Sequence, residues 1–471
     1  MSQQPTYGDI PNLPESAPPP MAGAPDYPTP GMALAAAPQR KRLNVIKGLV
    51  LTGVILFIAA CGIVVLVVIG FNGGIAGLLV GTGSAILPVP LLILCFLWLD
   101  RYEPEPVRYL AFCFAWGACV ATAAALGVNT GASYLFKKFG LPDELVAVLV
   151  APLIEESMKA LGPLLLFWVR RKTFSGIIDG IVYCGISATG FAMVENILYL
   201  GVKGYATAAH ESGALGGARA VIAIFIARIV MTGFAHPLFT SMTGIGLGVA
   251  VRSSSRTVRT FAPIAGLLTA MALHGSWNLM SVVATQSAYV ILYGYFAVMV
   301  PIFLGMVTFT LWLRSSEGRM AERVLPEYAR AGWFSPPEVA ALGTLGRRLS
   351  ARRWAKRVAG DAGAKAMKAF QFDATRLALL RDRMRRGIDI TPGEQLRKTL
   401  DEERTLLSAL MAYRQVFTGR DPQAPRAVWD GARYHVTFPD GIVRVINAPV
   451  SPVAPVPVVL GATPLPGYPY R

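Results

Sequence analysis

Four apolar stretches of the 471-residue chain carry side chains able to move protons or bind cations. They are Glu155, Glu156 and Lys159 in LVAPLIEESMKALGPLLLFW, Glu195 and Asn196 in GISATGFAMVENILYL, Arg228 and His236 in IARIVMTGFAHPLFT, and His274 and Asn278 in ALHGSWNLM. A charged side chain at the centre of a bilayer costs roughly 2.5–3.5 kcal/mol on insertion scales, so such residues mark function or a partner. A carboxylate beside a histidine can deprotonate water. A histidine and an asparagine amide can donate to a developing oxyanion. Two histidines and a carboxylate (His236, His274 and Glu195) also match the His₂Glu set of catalytic zinc, with water as the fourth ligand. Either way the reaction class is attack of water on an amide.

Spacing decides whether these groups can meet. With a rise of 1.5 Å per residue, Glu155, His236 and His274 each lie about 13–14 residues from the cytoplasmic end of their segments, roughly 20 Å deep. Glu155 and Lys159, Phe191 and Glu195, and His274 and Asn278 are each four apart and share a helix face. Groups on four helices therefore share one layer, and those helices are expected to face one another. The single-residue alternatives are structural. Lys159 serves as an ion-pair partner of the glutamates, Arg228 ties helices together, and Glu195 with Asn196 forms an interhelical clasp.

The rest of the chain supplies the scaffold. It is 54% hydrophobic and only 15% charged, against about 25% charged in a soluble domain. The apolar residues come in long runs rather than in alternation, which selects helices over a β-barrel. The expectation is an all-α polytopic membrane protein with about eight transmembrane helices, near 45–69, 76–98, 107–128, 144–169, 177–200, 218–250, 260–284 and 289–313. The sixth is over-long and contains Pro237, where a kink is expected. Basic loops recur after every second span, so the positive-inside rule puts both termini in the cytoplasm of a multi-pass plasma-membrane protein.

Four regions are expected: a Pro/Ala-rich disordered segment at 1–42, a transmembrane domain at 43–314, a basic helical cytoplasmic region at 315–425, and a small hairpin with a Pro-rich C-terminus at 426–471. From Arg314 onward 26 Lys/Arg stand against 15 Asp/Glu. No nucleic-acid motif accompanies them, so the basic tail is expected to contact anionic lipid and not nucleic acid. A helix is expected to break near Gly360 or Gly363, and another to begin with Thr391 as N-cap, Pro392 in the first turn and Glu394 closing a capping box. The hairpin is expected around Asp440-Gly441.

The motifs EESMK, FAMVEN, HPLF and HGSWN, with the DRYEPEP loop, resemble the PrsW family of bacterial intramembrane proteases. That family is distantly similar to the type II CAAX prenyl endopeptidases and the Abi membrane proteins. The likeness covers about 45–314. It implies that Glu155 and Glu156 are the essential glutamate pair, that Glu155 and His236 activate water, and that His274 and Asn278 stabilise the oxyanion. Lys159, Phe191, Asn196 and Arg228 would support them. The base in the CAAX enzymes stands one position later than Lys159. The resemblance admits a zinc protease and a metal-free glutamate enzyme alike, and it implies membrane-anchored protein substrates such as anti-sigma factors. The alternative from another class is a proton- or ion-coupled transporter using the same buried groups. Transporters commonly carry internal repeats, and none is visible in this sequence.

Overall fold

The computed structural model describes residues 40–170, 174–284, 288–388, 390, 392–417, 427–429, 433–437 and 443–447. The Pro/Ala-rich start, Thr391, the Asp440-Gly441 turn and the Pro-rich C-terminus lie outside the described residues. Helices dominate: α1 (Arg40–Ile86), α2 (Val89–Leu99), α3 (Val107–Ala115), α4 (Thr122–Lys138), α5 (Ala151–Val169), α6 (Ile177–Ile197), α7 (Thr207–Phe225), α8 (Ala235–Val251), α9 (Arg256–Val283), α10 (Ala288–Gly294) and α11 (Val300–Val324). α12 (Pro326–Arg330), α13 (Pro336–Leu342), α14 (Leu345–Arg385) and α15 (Glu394–Phe417) follow. Wider π-helical turns at Trp116–Ala121, Val146–Val150, Leu198–Ala206, Ile226–Met231 and Tyr295–Met299 join several of them. A small antiparallel sheet, β1 (Ala427–Trp429), β2 (Arg433–Thr437) and β3 (Val443–Asn447), contains the two paired strands of the expected hairpin and adds a third.

Among the described residues, four segments are long and apolar enough to cross a membrane: Lys47–Leu99, Val107–Lys138, Ile177–Val251 and Tyr289–Arg330. The first and third span 53 and 75 residues, far beyond the ~20 one crossing needs, and each is interrupted. α1 turns at Gly74, whose φ of 64° is open to glycine and strained for other residues. The expected kink at Pro237 falls earlier. The helix ends at Met231, the backbone turns at 232–234, and Pro237 sits in the first turn of α8, where a missing N–H is harmless. α5 and α9 are not among the four, because their apolar runs are diluted by the polar residues of interest.

α6 lies at the centre, packed by α2, α3, α5 and α8, and nearly all of its side chains are buried. Backbone contact makes this possible. A Cβ on Gly180 would stand 2.0 Å from the Gly244 carbonyl oxygen, and one on Gly244 would stand 2.2 Å from that of Gly180. Such small-residue crossings are how membrane helices gain packing contact. Gly244→Ala must therefore push α8 away from α6, carrying His236 with it. The expected result is a loss of about 1–3 kcal/mol in stability, and an activity loss approaching 100-fold, as a misplacement of about 1 Å produces. Unfolding in graded SDS and cleavage assays on one preparation check both.

The loop between α2 and α3 ties this bundle to the helical unit formed by the end of α11 with α12–α15, which has its own core around Tyr328, Phe370, Leu377 and Leu410. α14 breaks at Ala359 and Gly360, as expected. Arg348 of α14 donates to the Tyr102 carbonyl at 3.5 Å and lies over the Tyr102 ring at 4.8 Å. Asp100 accepts the Glu105 N–H at 2.6 Å, and Glu105 accepts the Tyr183 hydroxyl at 2.5 Å. Asp179 accepts the Gly176 N–H at 3.0 Å and caps α6.

Burial pushes the Asp100 carboxyl up to about 9 and that of Glu105 up to about 10, with Asp179 adding to the second. A raised carboxyl pKa means the folded state binds more protons than the unfolded chain, so the stability these two groups contribute is fully present below about pH 4 and is lost as pH rises through about 9. Thermal unfolding is expected at lower temperature at pH 9 than at pH 6. Asp100→Asn, which keeps the acceptor for Glu105, flattens that slope.

Candidate functional site

α5 delivers three ionisable side chains to one place. Glu155 and Glu156 are 6% and 0% exposed and Lys159 is 0% exposed. Lys159 donates to Glu156 at 2.9 Å, to Glu155 at 3.4 Å and toward His236 Nδ1 at 3.1 Å. The Phe191 ring lies 4.0 Å from its ammonium. Three donor directions and one aromatic face leave none of the charge unmet, which is the condition for burying it.

Each imidazole is aligned by a carboxylate. His274 Nδ1 lies 2.9 Å from Glu156, whose second oxygen accepts the Thr240 hydroxyl at 2.7 Å. In the neutral ring that contact places the proton on Nδ1 and the lone pair on Nε2, which stands 3.8 Å from Glu155. His236 Nε2 lies 2.8 Å from Glu195, and Glu195 is held in turn by Arg228 at 2.6 Å. Arg228 also donates to Asn196 at 3.1 Å and stacks on Tyr199 at 3.6 Å. The His236 and His274 rings meet edge-on at 5.2 Å, and Phe239 stacks on His274. Asn278 spends one N–H on the Ala147 carbonyl at 2.8 Å and keeps the other.

These side chains line a cavity of about 720 Å³, into which Glu155, Glu195, His236, His274, Asn278 and Arg228 all open. Lys159 and Glu156 do not line it but lie behind its wall, in contact with Glu155, His236 and His274. Every residue singled out from the sequence thus lies in or against this one site. Asn129 of α4 and Thr240 were not singled out. Asn129 donates to Glu155 at 3.3 Å. Its only sequence signal is an amide in the run GVNTGASY, which costs far less in apolar surroundings than a charge.

The ligand atoms of Glu155, His236 and His274 lie within 4.8 Å of one another. The carboxylate whose ligand atom converges with the two imidazoles is that of Glu155, while Glu195 turns one oxygen, Oε2, to both Arg228 and His236 Nε2. Both imidazoles have their other nitrogen on a carboxylate, the outer-sphere arrangement that orients histidine ligands. The donor set fits a divalent metal. The Lys159 ammonium at His236 Nδ1 means that the site already balances one positive charge.

A bundle of apolar helices with carboxylates and imidazoles gathered at one cavity has the chemistry of a membrane-embedded hydrolase. Residues 105–306 match the family described as PrsW family intramembrane metalloprotease. Two curated relatives are similar. Protease PrsW of Clostridioides difficile (strain 630) is 29% identical over 215 residues, 44% of this chain and 82% of the relative. Protease PrsW of Geobacillus kaustophilus (strain HTA426) is 27% identical over 197 residues, 41% of this chain and 76% of the relative. No solved structure is significantly similar to the chain. Over residues 105–306 the chain is thus similar to the PrsW family of intramembrane proteases.

Proposed function

We propose that Glu155 is the group that takes a proton from the attacking water, in a protease acting on membrane-anchored proteins, anti-sigma factors among them. The observation that carries this is the meeting of Glu155, His236 and His274 at the cavity wall, each imidazole held by a second carboxylate. Glu155 and the His274 Nε2 lone pair are both acceptors, 3.8 Å apart. A water between them donates both its protons, which orients its oxygen toward a substrate carbonyl. As that oxygen bonds to the carbonyl carbon, Glu155 receives the proton, and the C–N bond breaks as the proton passes to the amine. His236, held at Nε2 by Glu195, assists at the water through Nδ1 when Lys159 turns from it to the glutamates. The second N–H of Asn278, which has no partner among the described residues, would meet the oxyanion, with His274 beside it once its Nε2 has taken up a proton. Glu155, His236 and His274 would hold a divalent metal such as zinc, which when bound makes its water more acidic.

We read the apolar segments as eight crossings, with α5 and α9 completed by their neighbours and both termini in the cytoplasm of the cell membrane. The basic helical unit after α11 then lies at the inner surface, where anionic lipid is its natural contact.

The test compares protein N-termini in cells lacking the gene, complemented with wild type or with Glu155→Gln at matched abundance. New membrane-protein N-termini found only with wild type would identify substrate and cut together. Identical maps under inducing conditions would overturn the reading and direct attention to transport.

A further inference from the structure

We propose that Asn129 is a positioning residue for Glu155, holding its carboxylate toward the cavity by donating a hydrogen bond that no residue of the glutamate and histidine motifs supplies. The inference rests on the reading of Glu155 given above.

Asn129 sits midway along α4, in the cavity wall where α4 packs beside α5. Its Nδ2 reaches Glu155 Oε1 at 3.3 Å, while Glu155 Oε2 faces Lys159 at 3.4 Å and His274 at 3.8 Å. The two oxygens are thus addressed from different helices. Lys159 lies on the same helix as Glu155 and reaches its carboxylate from behind. Asn129 reaches it from the neighbouring helix α4, and that contact selects the side-chain rotation presenting Oε2 to His274. The amide orientation follows from its partner, because a carboxylate accepts and only Nδ2 can donate to it.

A structural role fits this residue poorly. Its Oδ1 is buried and has no hydrogen-bond partner among the described residues. An orphaned buried acceptor is destabilising, and a leucine of similar size would remove it. An amide half-satisfied in itself, whose satisfied half lies on the proposed base, is placed for the base rather than for the fold.

The test uses the full-length protein in proteoliposomes and a single-span reporter with a fluorophore pair flanking the cleavage position obtained by N-terminal profiling. Asn129→Leu is expected to unfold at the wild-type temperature or above it, yet to lower kcat about 10- to 100-fold, with KM within about twofold. Asn129→Asp has the same shape, but an ionised carboxylate donates nothing and repels Glu155. It is expected to lose at least as much kcat as the leucine variant. Wild-type kcat in either variant would overturn the proposal, and so would a fall in kcat matched by a fall in thermal stability in both. Glu155→Gln separates the two readings. If it is inactive while Asn129→Leu and Asn129→Asp are active, the positioning role alone fails. If it is fully active, the assignment of Glu155 fails with it.

Discussion

Glu155→Gln is expected to abolish detectable cleavage, a loss of at least about 10²–10⁴ in kcat, as for removal of a general base, while the protein folds and unfolds as wild type. Glutamine keeps the shape and an acceptor for Asn129, and Glu155 lies at the cavity wall, where its neighbours can rehydrate. Glu156, one residue on, should behave differently. It is fully buried and accepts from Lys159, Thr240 and His274 at 2.9, 2.7 and 2.9 Å. Glu156→Ala strands an ammonium, a hydroxyl and an imidazole together, so about 3–5 kcal/mol of stability should be lost with the activity. Thermal unfolding and reporter cleavage, measured side by side, separate the pair. If both variants lost activity with stability intact, both carboxylates would act on the substrate and the division of roles drawn here would be wrong.

That division was only partly legible in the sequence. Charge in an apolar helix is conspicuous because lipid makes it expensive, so Glu155, Glu156, Lys159, Arg228, His236 and His274 stand out without any structure. Depth along each helix adds that they occupy one layer. Rotation about each helix axis is not encoded so plainly. Read from the sequence, the histidines pair with Glu195 as the metal carboxylate, whereas the ligand atom that converges with them is that of Glu155. Glu195 instead faces Arg228, 33 positions away, at 2.6 Å. Asn129 escaped notice for the opposite reason, since an uncharged amide raises no alarm in an apolar run. Helix breaks were read from prolines and glycines with mixed success. Gly360 breaks α14, whereas the turn before α8 falls at 232–234, where no proline stands. The docking of Arg348 on Tyr102 spans 246 residues and leaves no local trace.

Lys159→Met should be among the most destabilising single changes in the membrane bundle. Its ammonium is fully buried and serves Glu155, Glu156, His236 and the Phe191 ring at once. Methionine preserves the volume but leaves two adjacent carboxylates without their cation, a loss of about 3–5 kcal/mol. Adding Glu156→Gln removes one of those charges, so the double variant should be more stable than Lys159→Met alone. The interaction energy should lie at the upper end of the roughly 0.5–3 kcal/mol seen for contacting residues. A divalent cation offers the same relief by another route. Lys159→Met should gain stability with added zinc by mass action, as any ligand of the folded state confers, and wild type should gain less because its ammonium already neutralises the carboxylates. Unfolding curves with and without zinc for the wild type, the single and the double variant decide the matter. A zinc response in wild type as large as in Lys159→Met would mean that metal and lysine occupy separate positions. No response in either would mean that the buried lysine is the cation this site is built around.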